Sequence, residues 1–290
     1  MKFSRQYKLL VEIQERGKVT EFVEIQNPLT IEFQVERNTS SSLNNAIIRV
    51  YNLAENNRSA IFQNVFDVKN TRQQRRKVIL QAGYSELSTI FIGDLIEAYS
   101  YRQGSDVITY MNALDGASQT YNSYINKTLE AGISRENLFR ELVASLGLKT
   151  GTIGETEGAA KRGVPLNGNT FQLLNKNFKD EYFIDLETIN KLSPNETLKG
   201  ELFIINSETG LLGTPLLQGT FLVVEAIFEP RIKVGQLVQI ESQFNPKFDG
   251  QYKVLGVRHD VTISEATSGE ARTTLQLSVG EALLKELKQL

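Results

Sequence analysis

His259 is the sole histidine of the sequence and stands beside Asp260 in Val257-Arg258-His259-Asp260-Val261. That pairing invites a general-base reading. Neighbouring residues of a strand point to opposite faces, however, so the two cannot form a hydrogen-bonded dyad, and a structural role for His259 is expected. The carboxylate pairs Asp94/Glu97 and Glu12/Glu15 raise a second chemistry, glycoside hydrolysis, which needs two facing carboxyls roughly 5–9.5 Å apart. A chain with 34 acidic residues supplies such pairs by accident. Arg72, Arg75, Arg76 and Lys77 form the one basic cluster, which fits either a phosphate or acidic neighbour or a solvated loop leading into a strand. No aromatic residues interleave it, which weakens a single-strand nucleic-acid reading. The glycines between Gly151 and Gly168 match neither GxGxxG nor the Walker spacing, and no metal-ligand spacing is visible.

Composition narrows the chemistry further. The chain has 290 residues, no cysteine and no tryptophan, and 32 basic residues against 34 acidic ones. Without cysteine there are no disulfides, no thiolate catalysis, no iron–sulfur clusters and no cysteine-ligated zinc. One histidine excludes His-rich zinc sites such as HExxH. Near-neutral charge argues against a dedicated nucleic-acid binder. The hydrophobic share of 40% with 23% charged residues is that of a folded globular chain. The N-terminal residues lack the apolar core of a signal peptide, and no run approaches a membrane span, so synthesis in the cytoplasm is expected. The sequons at Asn38, Asn57, Asn126 and Asn195 are then chance matches.

Hydrophobic periodicity predicts which elements hold these residues. Tyr7, Leu9, Val11 and Ile13 alternate with polar residues, as do Ile31, Phe33 and Val35, and residues 46–51 form a further β-branched run. Residues 52–66 suit a short helix, with Leu53, Ile61, Phe62, Val65 and Phe66 as its apolar positions. Strands are predicted over 78–82, 90–99 and 106–114, with turns at Gly83 and Gly104. In the middle, Ser134 caps a helix whose stripe is Leu138, Phe139, Leu142, Val143 and Leu146 and which Gly147 ends. Residues 147–170 read as a mobile loop or linker. A helix over 170–178 and strands over 182–184 and 202–205 follow. The last third predicts strands over 221–228, 236–241, 252–261 and 271–279. Residues 281–290 place Leu283, Leu284, Leu287 and Leu290 on one helical face, a stripe too short to stand alone and therefore a candidate docking element, in cis or on a partner.

The two strand-rich blocks share an order of elements: 78–82, 93–99 and 106–114 in the first, and 237–241, 250–261 and 272–279 in the second. Either an internal duplication or two generic β-meanders would give this pattern. The predicted fold class is mainly β (α+β), with two antiparallel β-barrels flanking a small α/β insert.

A resemblance gives the pattern a meaning. Thr209-Gly210-Leu211-Leu212-Gly213-Thr214-Pro215, Glu229-Pro230-Arg231-Ile232-Lys233-Val234-Gly235-Gln236, Asp249-Gly250-Gln251-Tyr252-Lys253-Val254 and Val257-Arg258-His259 follow in an order similar to the C-terminal part of baseplate hub proteins of contractile-tailed bacteriophages. Val50-Tyr51-Asn52-Leu53, Ala82-Gly83-Tyr84, Ile90-Phe91-Ile92-Gly93 and Asp115-Gly116 resemble their first third. The resemblance implies a tail-tube-like barrel domain over 1–116, an insert and linker over 117–215, a second barrel domain over 216–280 and a helical tail over 281–290. It implies a homotrimer whose six barrels adapt a hexameric tail tube to a trimeric central spike, around a channel for genome passage. The implied partners are the tail tube protein, the central spike protein and baseplate wedge components, in the virion tail. DNA would pass without specific binding, and neither cofactor, membrane nor catalysis is implied. Larger hubs carry a lysozyme or long spike domain that this sequence lacks. Three alternatives stay open: a tube-initiator or distal-tail adaptor, a peptidoglycan-binding or -degrading module, and an OB-like nucleic-acid barrel.

Overall fold

The computed structural model describes residues 4–15, 18–62, 76–154, 157–194, 196–266 and 269–278. The first block comprises β1 (Gln6–Glu15), β2 (Lys18–Gln26), β3 (Ile31–Asn38), β4 (Asn45–Tyr51), α1 (Glu55–Ile61), β5 (Lys77–Gly83), β6 (Leu87–Gln103) and β7 (Asp106–Leu114). The middle holds α2 (Ala117–Asn122), β8 (Tyr124–Leu129), α3 (Arg135–Leu146), β9 (Lys149–Ile153), β10 (Val164–Asn169), α4 (Thr170–Phe178), β11 (Tyr182–Asp185) and β12 (Thr188–Lys191). The last block contains β13 (Leu198–Ile205), β14 (Leu211–Gln218), β15 (Phe221–Ile227), β16 (Gln236–Ile240), a 3-10 turn (Pro246–Phe248), β17 (Gly250–Ile263) and β18 (Ala271–Ser278). Strands dominate, and the mainly β fold class holds.

Both blocks belong to one 13-stranded sheet, whose main path runs β14-β15-β18-β17-β3-β4-β7-β6-β5-β1-β2. The path does not close into a barrel among the described residues. Period-two patterning explains why the strands assemble: β3 and β4 bury alternate residues, Ile31, Phe33 and Val35 in one and Ala46, Ile48 and Val50 in the other. Alternation of this kind fixes register, because a one-residue slip would turn every apolar side chain to solvent.

The strand path repeats. In the first block the hairpin β3–β4 is followed by the meander β5–β6–β7, and β4 pairs with β7. In the second the hairpin β14–β15 is followed by the meander β16–β17–β18, and β15 pairs with β18. Register shifts fall at corresponding places, between Leu95 and Glu97 in β6 and between Val254 and Gly256 in β17. One extra ladder joins the repeats: β17 pairs antiparallel with β3 from Gly256↔Asn38 to Ile263↔Ile31.

Three apolar cores lie under this frame. The first is built on β1–β7 and takes in Phe228, Val261 and Ile263 from the second block. Phe228 sits edge-on to Phe33, with ring centroids 6.1 Å apart, and its carbonyl accepts a 2.9 Å hydrogen bond from the Tyr84 hydroxyl. The second core lies between β15, β16, β17 and β18. The third belongs to the middle segment, where α3 buries all five predicted stripe residues. Ser134 caps α3 by accepting from the Asn137 N–H, and Gly147 ends it at φ 79°. Gly235 is held at φ 80°, where an added Cβ would crowd Leu192 and Phe183, and it turns the chain into β16.

Some expectations are corrected. Residues 147–170 are no mere linker: β9 pairs parallel with β12, and β10 antiparallel with β8. Their sequences hid this because β9 is almost wholly exposed and β10 buries only Leu166, so neither shows apolar alternation. The helix expected over 52–66 is helical at Glu55–Ile61; Leu53 and Ile61 are buried, Phe62 is exposed, and residues 63–66 lie outside the described residues. β2, β8, β12, β14 and the short helix α2 have no counterpart among the predicted elements.

Candidate functional site

The side chains that invited catalytic readings are committed to structure. His259 is fully buried, its Nδ1 3.0 Å from the Thr273 hydroxyl and its ring edge-on to Phe228. Burial, with the nearby Arg37 charge, holds the imidazole well below its usual range, so it is neutral. Asp260 lies on the opposite face and takes a bidentate contact from Arg258, at 2.7 and 3.1 Å. Asp94 is buried and accepts from Lys77 Nζ at 3.0 Å and from the Ser118 N–H at 2.7 Å. Glu12 accepts from the Lys77 N–H at 2.6 Å. Of the basic cluster, Arg76 donates to the Ala60 carbonyl at 2.6 Å and Lys77 bridges Asp94 and Glu187, while Arg72 and Arg75 lie outside the described residues. Asn195 and the stripe Leu283, Leu284, Leu287 and Leu290 also lie outside them. Among the described residues no cluster of His, Cys, Asp or Glu could hold a metal ion, and no helix is long and apolar enough to cross a membrane.

What the fold does assemble is a broad polar surface. Alternate residues of β3, β4, β7, β17, β18 and β15 point away from the cores and form one face of the continuous sheet. Glu36 on β3 stands directly opposite Arg258 on β17, with carboxylate and guanidinium 3.3 Å apart. Arg49 reaches Glu32 at 3.4 Å, and Arg272 reaches Glu225 at 2.9 Å and Glu270 at 3.0 Å. Tyr51 donates to Glu32 at 3.2 Å. At the β6 end the face turns aromatic, with Tyr99 and Tyr110 rings 5.0 Å apart and Tyr101 beside them. Each arginine on this face is neutralised by at least one carboxylate, so no unpaired cationic stripe is offered to a polyanion.

These residues were visible in the sequence only as the polar half of each alternating strand. Their gathering on one surface depends on the β17–β3 ladder, which joins segments more than two hundred positions apart.

A second assembled feature ties the three cores together. Arg37, on the core face of β3, reaches Asp185 of β11 at 3.4 Å and donates to the Ile232 carbonyl at 2.7 Å. Asn44 donates to the Ile184 carbonyl at 2.7 Å. Asp115 accepts from the Glu187 N–H at 2.8 Å, and burial, with the Asp185 charge, pushes its carboxyl up to about 7. The middle segment is thereby fastened to both strand blocks by buried polar contacts.

The described residues form a two-block β frame with a docked α/β segment, and solved tail proteins share this fold. The fold matches the 43 kDa tail protein of prophage MuSo2 from Shewanella oneidensis with a TM-score of 0.59 at 8% identity, covering 95% of this chain and 98% of that one. It matches a tail protein from Neisseria meningitidis MC58 with a TM-score of 0.54 at 9% identity, covering 94% and 96%. It also matches the E. coli c3393 protein, a type VI secretion component similar in structure to the T4 tail proteins gp27 and gp5, with a TM-score of 0.55 at 11% identity, covering 93% and 77%. No curated protein matches the sequence. The family model described as baseplate hub gp41 matches residues 8–267, and the chain belongs to that family. It is accordingly a structural component of a phage tail.

Proposed function

We propose that three copies of this chain form the ring at the centre of a contractile-tail baseplate. In this ring residues 1–116 and 216–280 act as two tube-like domains, so threefold symmetry presents six similar lobes to a hexameric tail tube and three equivalent sites to a trimeric spike. Residues 117–215 serve as insert and linker, and residues 281–290 as a helical tail that docks in cis or on the spike. The observation that carries this reading is the repeated strand path, hairpin then meander with the same cross-pairing, in both blocks of one chain. The ion-paired polar face is the wall of the genome channel: paired charges keep it wettable without creating a site that holds DNA. The work is geometric and needs no catalysis or cofactor. Synthesis is in the bacterial host cytoplasm, and the working place is the virion baseplate, against tube, spike and wedge components.

Electron microscopy of assembled tails viewed down the axis tests this. A threefold ring with six barrel-sized lobes is expected at the tube–spike boundary. The chain found instead as a sixfold ring between tube and baseplate rim would make it a tube-initiator or distal-tail adaptor. A monomer at the periphery would sink the hub reading.

A further inference from the structure

At the end opposite the tyrosines the polar face turns apolar. Directly paired strand residues project on the same face, so Leu212, opposite Glu225, and Leu216, opposite Val223, stand beside Phe221 on the polar side of the sheet. The alternate residues Leu222, Val224 and Ala226 point the other way, into the second core. Leu212, Leu216 and Phe221 are 37%, 58% and 41% exposed. With the half-buried Val223 they make one patch across β14 and β15, bounded by the Glu225–Arg272 ion pair. Scattered apolar side chains are ordinary on a surface, whereas a contiguous patch marks a contact.

The sequence holds a matching stripe on a short tether. β18 leaves the sheet at Ser278, which pairs with Phe221 at the rim of this patch. Residues 279–290, outside the described residues, follow directly and carry Leu283, Leu284, Leu287 and Leu290. We propose that residues 281–290 fold back as a helix over the patch of their own chain, with Leu283 and Leu284 towards Phe221, Leu287 over Leu216 and Val223, and Leu290 towards Leu212. The dimensions agree. A helix over 281–290 is about 15 Å long, and β15 from Phe221 to Glu225, the stretch that the patch lines, spans about 13 Å. The chain leaves β18 heading away from Leu212, and Gly280 suits the reversal because glycine takes left-handed backbone conformations at no steric cost. Charge agrees too. Glu281 and Glu286 balance Lys285 and Lys288, so the docked helix turns a neutral polar side outward and keeps the balance of the face. The Val279-Gly280 tether favours this occupant over a free partner, since a short link holds the stripe at an effective concentration on the order of millimolar. Helix and contact form together, because so short a helix is marginal alone. The inference rests on the reading of residues 281–290 as a helical tail, and not on the number of copies.

Cross-linking of the full chain tests this, because a sequence without cysteine carries only the thiols introduced. Leu216→Cys is combined with Leu287→Cys, or with Lys285→Cys on the opposite side of the helix, and each chain is treated with a short bis-maleimide. Leu216 is exposed, so its replacement leaves the cores intact. The Leu287 pair should give a looped monomer that runs ahead of the parent on a denaturing gel, and the Lys285 pair little of it. A mixture of the Leu216→Cys and Leu287→Cys single variants should give no dimer. Dimers from that mixture would put the tail on a neighbouring copy, and no link from either pair would leave the patch to another partner; both results overturn the inference. Lys285→Pro keeps the stripe and breaks a helix there, so it should lower the far-ultraviolet helical signal and abolish the Leu216–Leu287 link. An unchanged signal would overturn the helical tail itself. A lowered signal, where the Leu287 pair had given no link, would overturn only the place where the tail docks.

Discussion

Arg37 and Asp185 meet in a buried ion pair, guanidinium to carboxylate 3.4 Å, at the point where the first strand block, the middle segment and the second strand block converge. Neither side chain reaches water to any extent. A buried pair gains little over an apolar pair of equal volume, but breaking it strands a charge at a cost of about 3–5 kcal/mol. Arg37→Met should lower stability by about that amount, since Asp185 keeps only the Asn44 amide at 3.5 Å and the more distant Lys233 charge. Adding Asp185→Leu should restore much of the loss. Urea unfolding of the three variants reads the cycle, and an Arg37→Met chain as stable as its parent would remove this pair from the account of how the segments are held.

Asp115 and His259 should pull stability in opposite directions with pH. Asp115 rises from an ordinary 3.8 to about 7 in the fold, so the folded chain holds that proton more tightly than the unfolded one. Its contribution is complete below about pH 4 and fades as pH rises to about 7. Relative to the parent, Asp115→Asn should therefore gain stability across that window, by up to ~1.4 kcal/mol per pH unit, while keeping an oxygen for the Glu187 N–H. His259 is depressed from 6.5, so its neutral form supports the fold above that pH and the support is lost on acidification. His259→Gln should flatten the acid side of the parent's profile. Thermal unfolding across pH 4–8 would show two difference curves of opposite slope; curves of the same sign would contradict both assignments.

Gly93 has no room for a side chain. A Cβ there would meet the Leu114 carbonyl oxygen at 2.7 Å and the Phe91 ring at 2.6 Å. The carbonyl belongs to the β7 ladder and cannot step aside. Gly93→Ala should cost about 1–3 kcal/mol, as overpacking of a core does. Gly200→Ala, where nothing lies within 4 Å, serves as the neutral comparison. Equal midpoints in urea would mean that β6 and β7 shift apart more easily than their long ladder implies.

Legibility followed burial. The strands that bury one face show it locally, β3 and β18 as alternation, β4 as a β-branched run and β15 as an apolar run, and α3 shows its cap, stripe and terminal glycine. β14 escaped because Gly213 and Pro215 sit inside it, and proline argues against a strand interior; the register shift between Leu212 and Leu216 is where the strand absorbs them. The polar face escaped for a different reason. Glu36 and Arg258 each show as the polar half of a strand, but nothing local to either reports that they face one another. That information lies in the pairing of β17 with β3, a long-range choice that depends on Phe228, Val261 and Ile263 completing the first core.

The charge pattern of that face gives the last prediction. Glu36, Glu225 and Glu270 balance Arg258 and Arg272. All are substantially exposed, so the pairs add little to stability and can be altered without unfolding the chain. Changing the three glutamates to lysine leaves both arginines beside new cations and converts a balanced surface into a basic stripe. Each cation that meets a phosphate releases a counterion, so the triple variant should bind duplex DNA with an affinity that falls steeply with salt, while the parent binds weakly at every salt concentration. In assembled tails the same substitutions should slow or stall genome release without preventing ring formation. If the variant chain gains DNA affinity but release is unaffected, the face does not line the genome's path, because a basic ring around a moving polyanion must act as a brake.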